Sequence, residues 1–197
     1  MRGKNLKVRL LIGVAIALFF VIKKCNQQEI NPYTGRQQTI SMTPNKEIQI
    51  GLASAPQITA QHGGLYPDER YQVLVDNVGN KLVNNSIARE TPYKYEFHLL
   101  ADKETINAFA LPGGQIFITY ALFSQLKNED QLAGVLGHEI GHVLGRHSAE
   151  RMAKQGLTQG LISGVMVGGG EGIGQMSAMI ANTINMKYGR EDELESD

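Results

Sequence analysis

Apolar residues first appear as an unbroken run, "LLIGVAIALFFVI", from Leu10 to Ile22. Thirteen residues fall short of the about 20 that a spanning helix uses. The preceding "MRGKNLKVR" holds four basic residues and no acid, the layout of a secretory signal. Lys23, Lys24 and Cys25 then stand where a small-residue cleavage site would lie. Residues 1–25 are therefore expected to form a signal or anchor segment, with Arg9, Lys23 and Lys24 reaching to the interfaces. The larger positive charge before the run places the rest of the chain outside the cytoplasm.

Beyond the run the pattern changes repeatedly. Residues 26–45 are polar, with an Asn-Pro and a Thr-Gly, and read as a linker. Helical spacing follows over 46–61 and again over 68–85, with Val73, Val75, Val78, Leu82 and Val83 as the second helix's buried side. "YEFHLLA" (95–101) and "INAFALPGGQIFITYAL" (106–122) are rich in β-branched and aromatic residues. Leu-Pro-Gly-Gly between their halves suits a type II turn, with Pro112 second and Gly113 third, so a hairpin and a partly antiparallel sheet are expected.

A capped helix should then start at Asn128, with Glu129 and Asp130 at its positive end and Gln131 at the capping-box position. Leu132, Val135, Leu136, Ile140 and Val143 form its apolar face. Gly134, Gly137, Gly141 and Gly145 form another stripe, a costly choice at about 1 kcal/mol each, which implies close approach by another backbone. After Met152 a glycine-broken apolar stretch reads as a helix end and loop, and a last helix is expected from Met176 into "KYGREDELESD". The fold class expected is α+β, mainly helical, with a small partly antiparallel sheet beside the helix that starts at Asn128.

Composition adds bounds. The chain has 197 residues, 19 basic and 19 acidic, so no charge excess marks a nucleic-acid partner. Its one cysteine excludes an internal disulfide framework.

The chemistry concentrates in "GHEIGHVLGRHS", residues 137–148, with three of the five histidines. His138 and His142, at i and i+4 on one helical face, can chelate one zinc ion, and Glu139 lies beside the metal as a general base. Catalytic zinc needs a third protein ligand. His147 stands one residue short of the third histidine in a metzincin pattern, where Ser148 is found. A slip of one position turns a helical side chain by about 100°, so His147 is read as a supporting residue. The tail "REDELESD" offers Glu191, Asp192, Glu193, Glu195 and Asp197, all competent by chemistry alone.

"NAFALPGGQIFITYAL", "LAGVLGHEIGHVLGRHSAERMA" and the Arg-x-x-Glu-x-Glu-x-Asp of the tail, in that order, resemble the membrane-associated zinc endopeptidases that include HtpX and the CAAX prenyl endopeptidases. "NPYTGRQQ" is similar to the bacterial envelope branch with the barrel-assembly-enhancing protease. The resemblance covers residues 30–197 and implies a zincin-like fold over 46–197, truncated at its C-terminus, with one Zn²⁺ per chain. It implies Glu193 as third ligand, Asp197 as the partner that orients a ligand histidine, and Asn107 and Ala108 as edge-strand residues holding an extended substrate. Unfolded or misassembled envelope proteins would be the substrates, cut on the periplasmic side of a membrane reached through the N-terminal segment. Two rivals remain at this point: a zinc-bound chaperone that does not cut, and a metzincin using His147 with Met176 or Met179.

Overall fold

In the computed structural model, residues 28–156 and 189–197 are described, together with 12, 14, 178–180 and 182. The expected anchor lies outside them apart from Ile12 and Val14, helical and exposed, and so does the glycine-broken stretch of 157–177. No helix among the described residues is long and apolar enough to cross a membrane.

Strands β1 (Gln28–Ile30) and β2 (Gln37–Thr39) pair antiparallel. They lie within the stretch expected to be a linker, and the chain there is tied to the domain: Asn31 and Gln38 are buried, as are Ile40 and Met42 just beyond. Helix α1 (Pro44–Gln61) opens with proline at its first turn, where the missing N–H costs nothing. Helix α2 (Glu69–Asn84) is capped by Asp68, which accepts from the Arg70 amide. Val75 and Val78 are buried in it and Leu82 and Val83 partly so, but Val73 is 54% exposed. Leu74 takes its place against the core.

A mixed sheet follows, ordered β3 (Glu96–Leu100), β5 (Gln115–Thr119), β4 (Ala108–Ala110). The expected hairpin is β4–β5, antiparallel, and Gly113 takes φ +83° in its turn. That glycine also lets the turn touch α1, since a Cβ there would lie 2.4 Å from Ile48 Cα. β3 runs parallel to β5. The second strand ends earlier than its composition implies, because Thr119 caps a short helix α3 (Tyr120–Phe123) through the Leu122 amide.

All five β5 residues are buried, as expected of a strand covered on both faces. Phe117 and Phe109 pack toward Ile50, Ile58 and Met152, while Ile116 and Ile118 pack toward Val75, Leu132, Leu136 and Ile140. Helix α4 (Glu129–Leu144) thus lies across one face with its polar edge left to the surface. A single 3-10 turn (Ile87–Glu90) precedes the sheet, and helices α5 (His147–Lys154) and α6 (Arg190–Ser196) follow α4. The last helix does not run unbroken through the tail: Gly189 is extended, at φ −70° and ψ 154°, and α6 starts after it. The architecture is α+β.

Candidate metal centre

Helix α4 forms where capping predicts. Asn128 Oδ1 accepts from the Gln131 amide at 3.0 Å, and Gln131 reaches back to the Lys127 amide at 2.8 Å. Its apolar stripe fixes its rotation on the sheet, which sets His138, Glu139 and His142 at the rim of the core. The helix stops at Gly145, and Arg146 takes a left-handed φ of 55°, the one non-glycine residue with positive φ among those described. What holds it there is a buried ion network: the guanidinium donates to Glu47 at 2.5 and 2.9 Å, to the Met42 carbonyl at 2.9 Å and to Glu29. The reversal brings His147 back under α4. An unbroken helical period does not show this turn.

Three candidate ligands converge. One nitrogen each of His138 and His142 and a carboxylate oxygen of Glu193 all lie within 4.8 Å of one another. His138 Nδ1 is 2.9 Å from Asp197 Oδ1, and its Nε2 is 3.2 Å from Glu193 Oε2. A carboxylate only accepts, so the His138 Nδ1–H donates to Asp197. Its Nε2 faces the Glu193 carboxylate, an arrangement that either an imidazolium proton or a metal cation between them satisfies. His142 is set the same way. His147 Nε2 donates to Glu195 at 2.7 Å, so His147 Nδ1 accepts, and His142 Nδ1 donates to it at 2.7 Å. Ser196 Oγ, 2.8 Å away, shares that proton. His142 therefore offers Nε2. Burial, then the neighbouring His147 and His138, hold its pKa down at about 3, so it is neutral at ordinary pH, as a ligand must be.

The close packing of α6 on α4 occurs at one glycine of the stripe. A Cβ on Gly141 would lie 2.6 Å from the Ser196 carbonyl oxygen. Gly134 and Gly137 meet nothing within 4 Å. They are correspondingly not packing glycines: Gly134 lines an open cleft of about 390 Å³ with Ile106, Asn107, Ala108, Val135, His138 and Glu139. Glu139 is 6% exposed at the base of this cleft, and its Oε2 has no hydrogen-bond partner. Burial, and secondarily the Glu193 carboxylate, push its pKa up to about 8.

Asn107 and Ala108 both border the cleft, but their backbones differ. Asn107 is turned inward: its amide donates to Thr119 Oγ1 at 3.1 Å, and its carbonyl accepts from the Thr119 amide at 3.0 Å. By antiparallel alternation the main-chain groups of Ala108 point to the outer edge of β4. The Ala110 carbonyl on that edge is already taken by Ser148 Oγ.

The geometry has the form of a metallopeptidase site, and comparison with known proteins decides the family. The model for peptidase family M48 matches residues 70–197. The chain belongs to this family. The M48 match takes in the β4–β5 hairpin, α4 and α6, every element that carries a candidate site residue. Among its relatives is a beta-barrel assembly-enhancing protease from Yersinia pestis, 34% identical over 57% of this chain and 22% of that protein. The mitochondrial metalloendopeptidase OMA1 of Bos taurus is 27% identical over 68% of this chain and 26% of its own length. The Schizosaccharomyces pombe mitochondrial metalloendopeptidase OMA1 is 36% identical over 56% of this chain and 33% of its own. The chain thus spans about a fifth to a third of the length of these relatives.

Sequence reasoning brought together His138, Glu139, His142, Glu193 and Asp197, and these do meet. It passed over Ser196 and the Glu47–Arg146 pair, and gave Glu195 only as one of five acids competent by chemistry. Ser196 carried a faint signal, as a small residue among acids opposite a glycine. The pair carried none, since its members lie far apart in the chain.

Proposed function

We propose that the chain is the catalytic part of a zinc-dependent endopeptidase. What carries the reading is the convergence of His138, His142 and Glu193 donor atoms beside the buried Glu139, whose Oε2 is unpartnered, in an open cleft along the edge strand. Two imidazoles and one carboxylate are a donor set that catalytic zinc uses, and zinc ligands at about 2.0–2.2 Å sit closer together than the 4.8 Å bound found here.

His138, His142 and Glu193 would hold the ion, and Asp197 orients His138. When bound, zinc polarises the scissile carbonyl and lowers the pKa of water to about 7. Glu139 takes the proton from the attacking water and returns it to the leaving amine. Its raised pKa is a property of the protein groups alone, and a nearby dication draws it back toward the carboxylate. Ala108 offers its main-chain N–H and C=O to an extended substrate as an added strand, with the Asn107 side chain beside it. Main-chain recognition of this kind favours segments without structure of their own.

The substrates proposed are unfolded or misassembled proteins of the bacterial cell envelope. The name of the Yersinia pestis relative supports this, as does the basic N-terminus followed by an apolar run. That run would hold the domain at the membrane, facing the periplasm.

The test is digestion of casein by zinc-loaded protein beside Glu139→Gln. Cleavage by the wild type, lost with chelator and restored by zinc, is expected, with the variant slower by about 10²–10⁴-fold. Equal cleavage by both, or none by either while both hold zinc, would sink the proposal.

A further inference from the structure

Helix α6 carries Glu193, yet it has almost nothing apolar to hold it. Its one hydrophobic residue, Leu194, is 65% exposed, and Ser196 is its only buried residue. Seven residues are too few for a stable helix in water. Its position must come from polar contacts: some are with the histidines of the site, and two lead to a side chain outside that cluster.

That side chain is Arg36. NH1 donates to Asp192 at 3.0 Å, NH2 donates to Glu150 at 2.6 Å, and Nε lies 2.7 Å from Glu195 Oε2. Asp192 and Glu195 are on α6 and Glu150 is on α5. A guanidinium can face three carboxylates at once because its five N–H groups diverge in one plane. The four groups are mostly shielded, with side-chain exposures of 6 to 23%, so screening by water and salt is reduced.

Local sequence chemistry aims it. Asn31 Oδ1 accepts from the amides of Tyr33 and Thr34, and Gly35 takes φ +73°, which turns the β1–β2 connection and delivers Arg36 to the start of β2. The same hairpin ties itself to the motif helix: Asn31 donates to the Leu144 carbonyl at 2.8 Å and Gln38 to that of Gly145 at 2.5 Å. It therefore grips the C-terminal end of α4 with two amides and the first two turns of α6 with one guanidinium.

We propose that Arg36 is a positioning residue for the metal site, which through α6 sets Glu193 against His138 and His142. The proposal rests on the zinc reading above and adds to it a requirement for the N-terminal hairpin. Replacing the direct partners of metal ligands costs about 10–100-fold in metal affinity or activity. Arg36 acts one step further out, through Asp192 and Glu195, so a loss at the lower end of that range is expected for Arg36→Gln.

The experiment is zinc affinity of the full chain by chelator competition, in a double-mutant cycle of Arg36→Gln with Glu193→Ala. Arg36→Gln alone should weaken zinc at least 10-fold. In the Glu193→Ala background the same change should weaken it far less, because the ligand it places is gone. Unchanged affinity in the single variant, or an equal loss in both backgrounds, overturns the proposal. Should Arg36→Gln not fold, Arg36→Lys keeps the charge but reaches fewer carboxylates; wild-type affinity there overturns it, and an intermediate loss supports it. A wild-type chain that binds no zinc would instead refute the metal reading itself.

Discussion

Glu139 owes its unusual basicity to its surroundings, which makes it measurable without any substrate. Its pKa is near 8 in the metal-free fold and about 4.5 when the chain is unfolded. Between those values the folded state binds the extra proton, so stability must fall as pH rises. His142, neutral when folded, acts the other way, but only below its unfolded value of 6.5. Metal-free protein should therefore lose thermal stability from pH 6.5 to 8.5, and Glu139→Gln should flatten that slope; an unchanged slope in the variant would show that another group is responsible. His147 makes a second case. Its bond to His142 fixes which nitrogen is left for the proposed metal, so His147→Ala should weaken zinc about 10-fold, read by chelator competition, whereas a ligating role would abolish binding. His138, Glu139 and His142 were legible in the sequence because helical period alone puts them together. Glu193 was not legible from the residues: five acids in the tail share the same chemistry, and only resemblance to a family chose among them. Glu195 was visible only as one of those acids; its role as partner of His147 was not, since that depends on a histidine 48 residues away.

At the level of elements, the glycine stripe of α4 separates into two jobs. Gly141 is where α6 touches, with room for no side-chain atom at all. Gly137 faces open space. Gly137→Ala is expected to stabilise the protein by about 1 kcal/mol through helix propensity. Gly141→Ala should reverse that gain and weaken zinc as well, since the clash is with α6 backbone. Urea denaturation and chelator competition on the pair would check both; equal effects would mean that α6 does not dock as described. Periodicity could show that the stripe was costly but not which glycine met a neighbour, because that depends on where α6 crosses. The hairpin β4–β5 was legible down to its turn residues. The parallel pairing of β3 with β5 was not, as nothing in "YEFHLLA" records its partner. The break at Arg146 was likewise hidden: a positive φ on an arginine is uncommon, and here tertiary ion pairing sustains it.

Across the whole molecule, charges bind what hydrophobic layers leave loose. Arg146 and Glu47 are 6% and 1% exposed and join α1 to the end of the motif helix. Removing one partner of such a pair leaves a buried charge, so Glu47→Ala should cost roughly 3–5 kcal/mol, measured by denaturant midpoint; a loss under about 1 kcal/mol would mean that water reaches the guanidinium. The larger pattern is one of distance along the chain. Asp197 meets His138 across 59 residues, and Arg36 meets Asp192 across 156. A chain emerging during synthesis thus has both motif histidines long before it has Glu193, and at that stage offers zinc only two imidazoles. Under the proposed function, a half-made molecule is harmless to its neighbours. The capacity to cut then waits on the segment that completes the coordination shell.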